Sequence, residues 1–177
     1  GAARGNARMM AAARGAALGQ SAFVILGFTT LVWSFYVNDF SVLNVAEHSS
    51  RHLPVEYRLT AAWGSHEGSI LLWALILSFW TVAVTISTKR DGAIAARTLG
   101  VLGLISTGFL AFILWTSNPF LRLDPPPPEG LDLNPLLQDP GMIIHPPLLY
   151  MGYVGFSVTF ALAIAALLSG QLDRAWA

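Results

Sequence analysis

The sequence predicts an all-α polytopic membrane protein: four transmembrane helices, both ends cytoplasmic, and two extracytoplasmic loops. Three observations predict it. Hydrophobic residues make up 54% of the chain and charged residues only 11%, where soluble domains carry about 25% charged. Four stretches are apolar over roughly the 20 residues that a spanning helix needs. The charges sum to zero but are strongly sorted along the chain.

The first span runs from Ala16 to Val37 and contains no charge. The second runs from Ser69 to Thr88 and carries Trp73 and Trp80. The third covers Thr98 to Trp115, and the fourth Pro146 to Gly170. Gly152, Gly155 and Ser157 in the fourth are small enough to permit close helix contact, or are simply tolerated in lipid. Arg4, Arg8, Arg14, Lys89, Arg90, Arg97 and Arg174 fall on one side of these spans, against Arg51, Arg58 and Arg122 on the other. Cytoplasmic loops carry the excess of basic residues. Residues 1–15 are therefore expected to be a cytoplasmic basic segment, 89–97 a cytoplasmic loop and 171–177 a cytoplasmic end. Residues 38–68 and the proline-rich 116–145 are expected outside. Eight of the ten acidic residues and all four histidines sort outward as well.

Several function classes are disfavoured. The span interiors hold no Asp, Glu, Lys, Arg or His, the usual marks of an ion or proton path. Absence of cysteine excludes disulfides, thiolate metal sites and a thiol nucleophile within this chain. Zero net charge gives no basic surface for nucleic acid, and no glycine-rich phosphate loop is present. The first residue is Gly1, and the basic N-terminal segment has no cleavage site, so it does not read as a signal peptide. Both ends read as cut, which suggests an excerpt of a longer protein.

The outer loops carry the polar chemistry. Trp63-Gly64-Ser65-His66-Glu67-Gly68-Ser69 leads into the second span. Ser65 is placed to cap that helix, with Glu67 favoured by the helix dipole and Trp63 as an interfacial anchor. Alternatively, His66 and Glu67 line a polar pocket facing a ligand. A zinc-protease pair is rejected, because the position four after His66 is Ile70. His48 and His52 have a spacing that would share a helix face, but Pro54 and the intervening polar residues favour a solvated loop. Pro125 to Pro128 are expected to be stiff and extended. Asn134 to Asp139 reads as a short helix with Asn134 as N-cap and Pro135 as first residue, ended by Pro140-Gly141. Leu133, Leu136 and Leu137 would give that helix an apolar side suited to the membrane surface. In Gly141-Met142-Ile143-Ile144-His145-Pro146-Pro147-Leu148-Leu149-Tyr150, proline is expected in the first helical turn. His145 is then expected just outside the fourth helix with a ring nitrogen free. Two readings stand: an interfacial capping histidine, or an axial ligand to a metal or haem.

Read together, these phrases resemble the CcmF family of cytochrome c maturation proteins. The matching phrases are Ala7-Arg8-Met9-Met10, Val37-Asn38-Asp39-Phe40, Trp63 to Ser69, Thr116-Ser117-Asn118-Pro119-Phe120, Asp132 to Gly141, and His145 to Ser157. The resemblance implies part of a haem lyase of c-type cytochrome maturation, in a bacterial inner membrane with its functional face periplasmic, or in a mitochondrial inner membrane. Haem would arrive on the chaperone CcmE and be positioned for thioether attachment to apocytochrome c, together with other maturation subunits. His145 matches the family's first outer haem ligand and would bind the iron of haem b. The second ligand, the Trp-rich signature and the embedded-haem ligands of the family have no counterpart in these residues. Trp63, His66 and Trp115 are further candidates for lining the haem platform. Two other readings remain: a paralogue dedicated to one multihaem cytochrome such as a nitrite reductase, and a non-catalytic docking subunit.

Overall fold

A computed structural model describes residues 7–87 and 92–170. In chain order it contains α1 (Ala7–Tyr36), α2 (Leu43–His48), α3 (Val55–Thr60), a 3-10 turn (Ala61–Trp63), α4 (His66–Ser87), α5 (Ala93–Thr116), a second 3-10 turn (Pro135–Leu137) and α6 (Pro140–Ser169). The four long helices are long and apolar enough to cross a membrane, and no strand occurs among the described residues. All four begin before the apolar stretch that announced them. Hydropathy marks only the part that needs lipid, whereas hydrogen bonding carries the helix on into the interface. Arg4, Lys89, Arg90, Arg174 and the expected cytoplasmic end 171–177 lie outside the described residues.

Helix α4 is the axis of the bundle. Its apolar window is 56% buried, against 22–28% for the other three, and it packs on α1, α5 and α6. Hydrocarbon offers no partner to a hydroxyl, so the polar residues on α4 bond inward. Ser78, Thr81 and Thr85 donate to the carbonyls of Leu75, Leu77 and Thr81. Ser21 of α1 donates to the Ala17 carbonyl and also reaches the Ser78 carbonyl of α4 at 3.3 Å. Trp73 of α4 stacks on Phe109 of α5, with centroids 3.9 Å apart. At the other end of this pair of helices, the Arg14 guanidinium donates to the Thr85 carbonyl, placing a cation at the negative end of the α4 dipole.

Helix α6 approaches α4 through one of its small residues. A Cβ on Gly155 would lie 3.2 Å from Cζ2 of Trp80. The Trp80 indole N–H donates to the Met151 carbonyl at 2.9 Å. Gly152, by contrast, has open space around it. Close contact therefore belongs to Gly155, while Gly152 is merely tolerated on an open face.

The two outer loops fold as one cap rather than as separate linkers. Val42 and Arg122 form an isolated antiparallel bridge, flanked by Leu43 N–H to Leu121 carbonyl and Leu123 N–H to Ser41 carbonyl, both 2.8 Å. Further along, the N–H groups of Leu131 and Asp132 donate to the carbonyls of Ala46 and Ser49. Gly130 sits so close to the first loop that a Cβ would lie 2.0 Å from the Ser49 carbonyl oxygen. Phe40, Val42, Val45, Leu53 and Leu133 are buried here, so the cap has an apolar core of its own. Charge closes its edges: Arg122 pairs with Asp39 at 2.9 Å and also donates to Ser41, while Arg51 lies 3.8 Å from Glu129 and over the Phe40 ring.

Several local expectations change in this cap. His48 closes the short α2, with Nδ1 3.0 Å from the Asn44 carbonyl, and His52 lies in the following turn. The helix ends before the two can share a face. The tetraproline bends at 124–125 and again at 128–129 instead of running straight, because its two flanks are tied to the first loop. Asn134 does cap, accepting from the Leu136 N–H at 3.0 Å, but the turn it starts is only Pro135–Leu137. Leu133 is buried while Leu136 is 86% exposed, so the turn is half anchored in the cap.

Gly155→Leu should force the Trp80 indole away from α6 and lower stability by about 1–3 kcal/mol, whereas Gly152→Ala should change it by less than about 0.5 kcal/mol; thermal unfolding in detergent reads both. The Ser41 hydroxyl, then Arg122, holds the Asp39 carboxyl below its ordinary range, and the backbone N–H groups of Arg51 and Gly130 do the same for Glu129. Carboxyls depressed in the folded state stabilise it above their ordinary pKa and lose that contribution as pH falls through the lowered values. Amide exchange at Leu43 and Leu123, corrected for intrinsic rate, should therefore quicken as pH falls below the ordinary carboxylate range. Asp39→Asn should cost up to about 1 kcal/mol at neutral pH, because the pair is partly exposed, and nothing once the native carboxyl is itself protonated.

Candidate functional site

The candidate residues gather at one end of the bundle, where α1 and α5 finish and α4 and α6 begin. Ser65 fixes the start of α4 as expected: it is buried, its hydroxyl accepts from the Gly68 N–H at 3.0 Å, and its carbonyl accepts from Ser69 N–H. Gly68 permits this tight entry, since a Cβ there would lie 1.8 Å from the Ala62 carbonyl oxygen. His66 opens the helix as an exposed residue. Its ring meets Phe112 edge-on, with centroids 6.4 Å apart. Phe112 in turn lines an open groove of about 460 Å³ with Ile70, Leu104, Ile105, Gly108 and Phe109. The ring contact of His66 is thus with an apolar side chain at the rim of that groove.

His145 is not outside the fourth helix but on it. Helix α6 starts at Pro140, not Pro146. Asp139 is the N-cap, its carboxylate accepting from the Gly141 N–H at 2.7 Å, and Pro140 occupies the first turn, where no N–H is needed. A carboxylate cap followed by proline is a stronger start than two prolines without a cap, and this signal was readable in Asp139-Pro140. Pro146 and Pro147 then lie inside the helix, where each removes the donor to the carbonyl four residues earlier. The imidazole of His145 is exposed, and the described residues provide it with no hydrogen-bond partner. The residues at helical spacing from it, Leu148 and Leu149, are 66% and 52% exposed, and Gly152 has open space. His145 therefore tops an open, apolar stripe of α6.

Trp115, in the last turn of α5, is 82% exposed. Trp63 is half buried: its ring stacks near Phe28 of α1 at 6.4 Å, and its indole N–H donates to the Met142 carbonyl at 3.0 Å. That bond links Trp63 to the helical turn carrying His145. No hydrogen bond or ring contact among the described residues joins His145 to His66 or Trp115. No group of three or more His, Cys, Asp or Glu side chains that could hold a metal ion occurs among the described residues. The donor set is therefore one free imidazole among apolar side chains. This suits a single axial bond to a haem iron, whose four equatorial bonds the porphyrin supplies, and does not suit a bare metal ion.

Residues 63–176 match the family model described as cytochrome C assembly protein. The chain is 59% identical to the cytochrome c-type biogenesis protein CcmF of Pseudomonas aeruginosa, an alignment covering 100% of this chain and 27% of that relative. It is equally 59% identical to CcmF of Escherichia coli, covering 100% of this chain and 28% of the relative. The cytochrome c-type biogenesis protein NrfE of Haemophilus influenzae is 50% identical over 84% of this chain and 24% of its own length. The chain thus spans about a quarter of the length of the relatives it matches. No solved structure matches it significantly. With a family model covering more than half its residues, and with four apolar helices of spanning length, the chain belongs to the cytochrome c assembly protein family and is a membrane protein.

Proposed function

We propose that this chain is the N-proximal membrane part of a haem lyase for c-type cytochromes, and that it presents His145 as one axial ligand to incoming haem b. The observation that carries this reading is the placement of His145. It is an exposed imidazole without a hydrogen-bond partner among the described residues, on the open stripe of a helix whose first turns are fastened by the Asp139 cap and the Trp63 indole. His66 and Trp115, at the same end of the bundle, are offered as further lining of the haem platform. The apolar side chains around His145 suit a porphyrin face, and the second ligand comes from residues beyond this chain.

In this reading haem is cargo. Its vinyl groups are the sites at which the thiols of apocytochrome c add. The residues of this chain hold and orient. His145 fixes one face of the cargo, the stripe of Leu148 and Leu149 excludes water beside it, and the cap formed by the two loops shapes the surface above. Orientation of this kind contributes to rate by removing translational and rotational freedom before the bond-forming event. The cap end is assigned to the periplasmic side of a bacterial inner membrane, supported by the excess of basic residues on the opposite side. That face is where a haem chaperone such as CcmE, the apocytochrome and other maturation subunits would meet it. Identity to NrfE supports a dedicated paralogue as the second reading, with the same site and a different acceptor.

In the protein as its source encodes it, His145→Ala should reduce co-purified haem at least tenfold, read as Soret absorbance per protein. It should also abolish holocytochrome, read by covalent-haem staining. Unchanged haem content together with unchanged maturation would overturn the assignment.

A further inference from the structure

The start of α6 contains an unusual vacancy in its hydrogen-bond ladder. Pro146 has no N–H, so the Met142 carbonyl has lost its helical donor. That carbonyl instead receives the Trp63 indole N–H at 3.0 Å. Trp63 is itself held twice, through its ring and through its backbone. Its ring stacks near Phe28 of α1 with an interplanar angle of 18°, and the Ser69 hydroxyl of α4 donates to the Trp63 carbonyl at 2.8 Å. A donor fixed to two other helices thus occupies the position that proline opened, one turn before His145.

Trp80 offers an internal contrast. It also donates an indole N–H to an α6 carbonyl, that of Met151. There the residue four further on is Gly155, which has its own backbone N–H. That carbonyl keeps a helical donor whether or not the indole is present. Only at Met142 does the tryptophan replace a missing bond, and a helix with inserted proline kinks or rotates where the ladder is open.

We propose that Trp63 is the positioning residue for His145. Its indole N–H takes the carbonyl freed by Pro146 and so sets the orientation of the turn that carries the imidazole. The inference rests on the reading of His145 as a haem ligand, and it acts through α6 rather than by contact with the cargo.

The test uses the protein as its source encodes it, reconstituted in lipid. This chain contributes no cysteine, and Ile144 is 59% exposed, so a nitroxide on Ile144→Cys reports the mobility of the turn without haem. Trp63→Phe keeps an aromatic ring on Phe28 and removes the donor. It should raise the mobile component of the label roughly fivefold, the change expected for one lost hydrogen bond. It should also weaken hemin binding and alter the low-spin haem signal. Adding Pro146→Ala restores an N–H at position 146, and the double variant should return both readouts toward the native values. Trp80→Phe should leave the label unchanged. An unchanged label in Trp63→Phe, or equal loosening with and without Pro146→Ala, would overturn the positioning role whatever the haem does. The expected label pattern combined with native hemin binding by His145→Ala would overturn the ligand reading, and with it any role of Trp63 toward that ligand.

Discussion

A backbone carbonyl at membrane depth has no water to turn to, so each one needs a partner supplied by the protein. That constraint explains most of what distinguishes this bundle. The hydroxyls of α4 bond back to their own helix, and Ser21 spans the gap to α1. Trp63 of the 3-10 turn and Trp80 of α4 point their N–H groups at α6 carbonyls. Where Pro146 removes the donor to the Met142 carbonyl, the Trp63 indole supplies one. The bundle is thus held less by apolar area, which lipid covers equally well, than by the pairing of polar groups and by close approach at glycine.

Outside the bundle the physics changes. Water is available, so the cap gains from burying Phe40, Val42, Val45, Leu53 and Leu133. Its two halves come from loops that are distant in sequence. Asp39 with Arg122, and Arg51 with Glu129, sit at the edges, where exposure limits what each ion pair contributes. The backbone bonds between the loops and the apolar core beneath them carry more of the association. Gly130 is the point at which this association is closest, its Cα hydrogen facing the Ser49 carbonyl where any side chain would collide.

The candidate site lies where these two regimes meet. Its imidazole is exposed and has no hydrogen-bond partner among the described residues, while nearby Asp139 caps the helix and the Trp63 N–H is bound to Met142. In the proposed role, an exposed imidazole mounted on a restrained helix would accept cargo with little ordering left to do. The apolar stripe below it and Trp115 are both exposed.

Composition and hydropathy alone were sufficient for the four long helices, because burial in lipid demands some twenty apolar residues in a row and little else in the sequence imitates that. The Ser65 and Asn134 caps were equally readable, since a cap is a local bond between near neighbours. His145 is visible in the sequence as a lone imidazole beside two prolines, but its place on the helix is not, because Pro146-Pro147 can mark a helix start as Asp139-Pro140 does. What no local pattern could show was long-range pairing. The union of the outer loops, the choice of Gly155 over Gly152 as the contact glycine, and the indole of Trp63 on the Met142 carbonyl each join groups far apart in the chain. Such contacts depend on how the helices are stacked, and that stacking is decided only when all the backbone donors and acceptors are satisfied together.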